Sequence, residues 1–332
     1  MSRLPGASGK LSSEFELIAR LSAGIRLSGR TILGVGDDCA IVSRPRGRVL
    51  FTVDSLVENV HFDLRWGLPQ ALGARALAVN LSDIAAMGGR PTACVVNLGV
   101  RDGIAARTLE QIYAGLRTAA REASTDIVGG NITRARELSI TIALIGEAGR
   151  AAMRRDAARP GDEIFVTGTL GDAALGWRIL AGKLKERGSA TKDHSKYLVE
   201  RFMHPHARLY AGQRLAAIRP TPAAIDISDG LMQDLGHILE RSGVGAEVDA
   251  SRIPISPAYR MLMGGNLVHA LAGGEDYELL FCARPGHSES ALSRRLRVGV
   301  RRIGTIVRGK QVKLIGDSAP IDAGWDQLRS RG

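Results

Sequence analysis

The chain has 332 residues, 45% of them hydrophobic and 24% charged, with a formal net charge of +11; these are values of a soluble globular protein with room for two domains. Cys39, Cys94 and Cys282 stand far apart with no Cys-x-x-Cys pair, which excludes a disulfide framework or a zinc knuckle and reads as three small buried hydrophobes in a reducing cytosol. No run of about 18 apolar residues occurs and "MSRLPGASGK" has no apolar core, so a cytoplasmic protein that enters no membrane is expected.

In chain order, "SSEFELIARL" carries a Ser13-x-x-Glu16 capping box with Phe15, Ile18 and Leu21 on one face, which predicts a helix. Strands are expected at Ile32 to Val35, Cys39 to Val42 and Val49 to Val53. Pro69 to Met87 reads as a helix stopped by Gly88-Gly89 and Pro91. A strand from Thr92 to Val100, a helix from Leu109 to Ala123 and a short strand at Ile127-Val128, ending at Gly129-Gly130, follow. "LSITIALIGEA" alternates at Leu138, Ile140, Ile142 and Leu144, the mark of a half-buried strand. The polar "RRDAARPGDEI" sets a domain boundary near residue 150. Beyond it are expected a strand at Glu163 to Thr167, helices to about 218, a strand "AAIDIS", a helix from Asp229 to Glu240, strands "VGAEVD" and "YELLFCA", and a closing pair around "RRIGTIV". Strands and helices mix in both halves, so the fold class is α/β (α+β).

Carboxylates collect at the ends of these elements. Asp37 and Asp38 sit in a strand-to-strand turn, Asp54 ends "VLFTVD", Asp226 ends "AAID", and Asp229 opens the next helix. Asp83 lies inside a helix, where Ala76, Asn80, Asp83 and Met87 share a face. Each has an ordinary alternative: Asp229 as a helix cap, the others as turn residues. Together, with no His or Cys cluster, they favour an oxygen-lined site for Mg²⁺ rather than Zn²⁺, and Mg²⁺ points to phosphate. "GASGKLS" is no Walker A loop, because Leu4 stands where the first Gly is needed, and "GVG" before Asp37 has no helix after it. Gly129-Gly130, "TGTLGD" and Gly273-Gly274 follow strand-like segments and suit either turns or phosphate contacts. The basic excess is scattered, with "RRLRVGVRR" (294–302) its densest stretch and few aromatics nearby, so a nucleic-acid partner is disfavoured against anionic small substrates.

The motifs "GVGDDCA", "TVDSLVENVHF", "ALAVNLSDIAAMGGRP", "VGGNITR", "TGTLGDAALG", "AIDISDGLMQDLGHI" and "GGEDYELLF", in this order, resemble the thiamine-monophosphate kinase family, within the superfamily of aminoimidazole ribonucleotide synthetase. The resemblance runs from about residue 13 to Asp326. It implies a two-domain fold: residues 1–150 forming an N-terminal mixed sheet with helices, a Mg/ATP-binding and dimerisation domain whose β-barrel lies at a homodimer interface, and residues 151–332 forming a C-terminal α/β domain that completes the ATP and substrate site. It implies ATP-dependent phosphorylation of thiamine monophosphate to thiamine diphosphate. Asp38, Thr52, Val53 (through its backbone), Asp54, Asp83, Asn131, Asp226 and Asp229 match positions that hold several Mg²⁺ ions. Gly130, Asn131, Arg155 and Ser228 match ATP contacts, and His61, Glu275 and Trp325 match contacts to the thiamine phosphate. Asp37 would only support its neighbour. His61 could equally be a turn histidine and Trp325 a capping aromatic. Asn131 stands where the family carries an Asp, so weaker metal binding there is expected, and a non-catalytic nucleotide- or metal-binding relative of the fold is the alternative reading.

Overall fold

The computed structural model describes residues 14–36, 38–44, 46–149, 151–184 and 192–316. The chain divides into two compact units, residues 1–80 with 91–146, and residues 81–90 with 147–332.

In the first unit, helix α1 (Glu14–Ser22) lies against α3 (Ala106–Glu122), and strands β1 (Thr31–Leu33) and β2 (Ile41–Val42) pair antiparallel. Strands β3 (Arg48–Val57), β4 (Arg90–Val100), β5 (Asp126–Arg134) and β6 (Ser139–Ala148) form a sheet in the order β3-β6-β4-β5. β6 alternates buried and half-buried residues along its length, as its sequence period requires. Helix α2 (Pro69–Ala86) belongs to this unit as far as Asn80. It crosses α3 so closely that a Cβ at Gly73 would stand 1.8 Å from the Ile112 carbonyl, and one at Gly115 would stand 1.8 Å from that of Gln70. Only glycine permits this approach.

Two expected boundaries are corrected here. β5 does not stop at Gly129-Gly130 but continues to Arg134, because β4 runs beside it in parallel and keeps pairing through Asn97–Asn131 to Val100–Arg134. The ladder overrides the weak strand preference of glycine. β3 likewise continues to Val57, so Asp54 is a mid-strand residue rather than a strand end. The cysteine reading holds for Cys94 and Cys282, which are buried, and fails for Cys39, which is exposed beside the short β1–β2 pair.

The second unit centres on a six-stranded sheet, built from β7 (Glu163–Thr167), β8 (Ala223–Asp226), β9 (Gly245–Asp249), β10 (Leu279–Ala283), β11 (Val300–Val307) and β12 (Val312–Ile315). Its order is β12-β9-β11-β7-β10-β8, with only the β12–β9 pair parallel. Between their ends the runs "EIFVT", "AAID" and "LLFCA" are apolar because both faces are covered. Ile164, Val166, Ile225, Leu280 and Cys282 enter one core; Phe165, Ala224, Leu279 and Phe281 enter another, where the rings of Phe165 and Phe281 stack 5.2 Å apart. Around the sheet lie α4 (Asp172–Leu180), α5 (Lys192–Met203), α6 (Leu209–Ala216), α7 (Leu231–Ser242), α8 (Pro257–Met263), α9 (Val268–Ala272) and α10 (Glu289–Leu296). α7 sends Leu231, Leu235, Ile238 and Leu239 into the first core at helical spacing and ends at Gly243 in the left-handed region.

Candidate functional site

Two loops meet at the end of β8. After Asp226 the chain turns through Ile227–Gly230 into α7, and after α9 it passes through Gly273–Glu278 into β10. Backbone hydrogen bonds lace the two: Ile227 N–H to the Glu278 carbonyl, Glu275 N–H to that of Ser228, and Tyr277 N–H to that of Ile227, each 2.8 Å. A Cβ at Gly274 would stand 2.2 Å from the Ser228 carbonyl, so the second glycine of "GGEDYE" is required by the crossing. Gly273-Gly274 therefore follow a helix, α9, and not the strand expected for them.

Carboxylates concentrate around this crossing. Asp226 is buried at the end of β8, opposite Leu279. Burial raises its carboxyl well above the carboxylate range, and the charge of Asp83, in the final turns of α2, raises it further; Arg155, opening the short 3₁₀ turn Arg155–Ala157, acts the other way. Asp229 is raised by burial and by Glu275, against His237 and Arg155. Asp234, buried on the first turn of α7, is pushed up to about 8 by burial and by the charges of Asp226 and Asp229. Its Oδ2 accepts the N–H groups of Ser228, Asp229 and Gly230, each at 3.1 Å. That contact corrects the expected role of Asp229 as a helix cap. α7 starts at Leu231 behind Gly230, and the loop donors go to an aspartate four residues further on. Asp229 is released to face elsewhere; its Oδ2 accepts from Gln233 at 3.3 Å.

Asp229, Asp234 and His237 bring one ligand atom each within 4.8 Å of one another. Neither Asp234 nor His237 was singled out in the sequence, although their three-residue spacing at a helix start was the available signal. Carboxylates raised together by burial and by one another are what a divalent cation relieves, and their oxygens suit a hard ion such as Mg²⁺, while His237 offers one nitrogen beside them. The "TGTLGD" loop is no phosphate cradle. Its Gly168, Leu170 and Gly171 N–H groups bond to Gly299, Pro254 and Asp276.

The first unit holds Asp38, Thr52, Val53, Asp54, His61, Gly130 and Asn131. Thr52 and Asp54 project from alternate positions of β3, with Val53 between them, and Asp38 lies in the β1–β2 turn. The Asp54 N–H donates to Oδ1 of buried Asn80 at 3.0 Å, while Asn80 Nδ2 bonds to the Ala76 carbonyl. Asn80 thus positions the β3 backbone. Gly130 and Asn131 sit on β5, separated from β3 by the two strands β6 and β4, so within this unit Asn131 is not adjacent to Asp54. Asn131 Nδ2 donates to Oδ1 of Asn97 at 2.9 Å. His61 accepts the Val57 N–H on Nδ1 at 3.1 Å, and this fixes the proton of the neutral ring on Nε2. Asp37, Trp325, Ser13 of the capping box and all of "GASGKLS" lie outside the described residues.

Residues 36–148 match the family described as AIR synthase related protein, N-terminal domain, and residues 159–317 match its C-terminal domain. The chain is 41% identical over 276 residues to the thiamine-monophosphate kinase of Salmonella typhimurium, covering 81% of this chain and 82% of that protein. It is 37% identical over 251 residues to that of Aquifex aeolicus, with 74% and 79% covered. Among solved structures, the Stenotrophomonas maltophilia thiamine-monophosphate kinase superposes with a TM-score of 0.79 at 37% identity, over 92% of this chain and 96% of the other. AaThiL complexed with AMPPCP and TMP superposes with a TM-score of 0.75 at 31% identity, over 97% and 100%.

Proposed function

The chain belongs to the thiamine-monophosphate kinase family, and from that premise we propose that it transfers the γ-phosphoryl group of ATP to thiamine monophosphate, giving thiamine diphosphate and ADP in thiamine diphosphate biosynthesis. The observation that carries the reading is the placing of Asp226 and Asp229 at the crossing of the two loops in the second unit, Asp226 raised by burial and by the charge of Asp83, Asp229 by burial and by Glu275. The nucleophile is a phosphate oxygen, anionic near neutral pH, so no strong general base is needed. The obstacle is repulsion between two polyanions. Bound Mg²⁺ would supply charge neutralisation of the phosphates.

Asp83, Asp226 and Asp229 would hold Mg²⁺ from the second unit, and Asp38, Thr52, the Val53 backbone, Asp54 and Asn131 from the first. Gly130, Asn131, Arg155 and Ser228 would contact ATP, with Arg155 placing a guanidinium against phosphate charge. His61, whose Nδ1 is already taken by Val57, would donate Nε2–H to the substrate phosphate. Glu275 would contact thiamine monophosphate, and Trp325 would stack on its cationic thiazolium, a contact worth about 0.5–2 kcal/mol. We assign Mg²⁺, ATP and dimerisation contacts to residues 1–150, further ATP and substrate contacts to residues 151–332, and the reaction to the cytoplasm. No helix of the described residues is long and apolar enough to cross a membrane.

A homodimer is supported by β3. Its alternation leaves Val49, Phe51 and Val53 exposed, Phe51 by 70%, with Ile32 of β1 exposed by 71%. Such a row on a single copy marks an interface. Transfer is direct and in line, without a phospho-enzyme.

The test is purified protein with ATP, Mg²⁺ and thiamine monophosphate, products separated by chromatography. ADP and thiamine diphosphate should form in equal amounts and only when all three are present; ADP formed at the same rate without thiamine monophosphate refutes the assignment. Stable labelling of the protein by γ-labelled ATP alone refutes direct transfer.

A further inference from the structure

An ordinary helix takes its cap from a side chain just before its first turn. Helix α7 does not, because Gly230 stands there and has no side chain to offer. The N–H groups of Ser228, Asp229 and Gly230 go instead to Oδ2 of Asp234, inside the first turn, each at 3.1 Å. Three successive N–H groups that converge on one point form a nest for negative charge. The protein fills this nest with a carboxylate of its own, on a side chain that is 1% exposed.

The two edges of the loop are thus held from different places. Its carbonyl edge is held by the approach to β10, where Ile227 and Ser228 accept the N–H groups of Tyr277 and Glu275. Its N–H edge is held by Asp234. An oxygen that accepts three N–H groups has no lone pair left for a cation, so Oδ2 serves the loop and not a metal. We propose that Asp234 is a positioning residue for the metal site. By gathering the N–H edge of Ser228–Gly230 onto one oxygen, it sets the backbone from which Asp229 reaches Mg²⁺ and Ser228 reaches ATP. The ion then meets a ligand already in place. Outer contacts of this kind orient metal ligands, and their loss costs about 10–100-fold in affinity. The proposal rests on the reading of Asp229 as a Mg²⁺ ligand. What it asks of Asp234 is an acceptor in the right place rather than a negative charge.

Two substitutions separate place from charge. Asp234→Asn keeps an oxygen at the same reach and removes the charge; Asp234→Glu keeps the charge and displaces the oxygen by one methylene. Both are compared with wild type and Asp229→Ala. Mg²⁺ is titrated calorimetrically with AMPPCP present, so that no turnover occurs, and amide hydrogen exchange is followed at Ser228, Asp229 and Gly230 in the metal-free protein. The Kd for Mg²⁺ should rise about tenfold or more in D234E, with faster exchange of the three amides, and stay within about threefold of wild type in D234N. Asp234→Ala, which removes the acceptor altogether, takes the place of D234E if the longer side chain does not fold. A D234N variant as weak as D234E, or weaker, shows that charge is what matters and overturns the proposal. Wild-type binding in both variants shows that the loop holds itself and overturns it too. In either case a loss of Mg²⁺ binding in D229A leaves the reading of Asp229 standing. If D229A binds Mg²⁺ like wild type, that reading fails first and the proposal with it.

Discussion

The two sheets of this protein treat their faces differently. The six-stranded sheet has a core on each side, and its strands β7, β8 and β10 are apolar between their ends, with polar side chains at the ends of β7 and β8 and in the loops laced beyond them. The four-stranded sheet keeps one side for itself and leaves a row of Val and Phe along β3 in solvent, while the positions between them carry Thr52 and Asp54. A sheet closed on both faces can build a charged site only at its margin, where buried carboxylates raise one another. A sheet open on one face can place polar side chains mid-strand, and it then needs a partner for the apolar remainder.

Four measurements would break or sharpen that contrast. The largest effect is expected from Glu278, fully buried in the second unit, where burial raises the carboxyl but the hydrogen bond and charge of Arg208, with Arg201 and Thr167, outweigh it and hold it below its ordinary value of 4.5. Glu278→Gln leaves two guanidiniums poorly matched and should destabilise this unit by about 3–5 kcal/mol in urea unfolding. Because the native carboxyl titrates low, its contribution is present above the ordinary value and is lost as pH falls through the lower native one. The wild type and variant curves should therefore converge in acid; a constant gap at all pH values would show that the ion pairs do not carry it.

Next is Asp226→Asn. Removing an expected metal ligand should cut kcat/KM by about 10²–10³ fold. Removing a carboxylate that burial and Asp83 already disfavour should leave the Mg²⁺-free melting temperature unchanged or higher. A large fall in both would mean that the residue is structural.

Phe51→Glu addresses the open face. Taking a phenyl ring out of an interface forfeits about 1.5–3 kcal/mol per copy, so sedimentation velocity should show a shift from dimer to monomer with the fold intact by circular dichroism. An unchanged sedimentation coefficient places the interface elsewhere. The smallest effect is at Asn131, where Asn131→Asp restores a negative charge and should lower the Mg²⁺ concentration for half-maximal activity several-fold. Superimposable Mg²⁺ titrations would show that the amide already serves, with Asn97 holding its Nδ2.

How far the sequence could be read follows the same division. Asp226 was legible because a buried apolar run of three residues ends in a single carboxylate. The half-buried β6 was legible from its period. Asp54 was misplaced as a strand end, since polar residues inside an edge strand look like a terminus when the strand is read in isolation. β5 was cut short at two glycines because pairing with β4, a property of a distant segment, decides where it stops. Asp234 was missed for a related reason: its spacing to His237 was the one signal, and its bonds to the N–H groups of the loop preceding its own helix are set by the folded loop. The left-handed backbone at Glu275 (φ 73°) and Tyr277 (φ 50°) was invisible, because neither residue type favours it and the contacts that hold this segment come from 105 and 50 residues upstream. The motif-level resemblance pointed to the family, which local rules could not, and the relatives bear that family out.

The hydrogen bond from the Asp54 N–H to Asn80 has a consequence for how this protein can change over evolutionary time. It pins the phase of β3. Inserting or deleting one residue upstream of it would exchange the two sides of the strand, turning Val49, Phe51 and Val53 inward and driving threonine and aspartate out among them. Association and metal chemistry would be lost in a single event, so this strand should accept substitutions one at a time but no change of length.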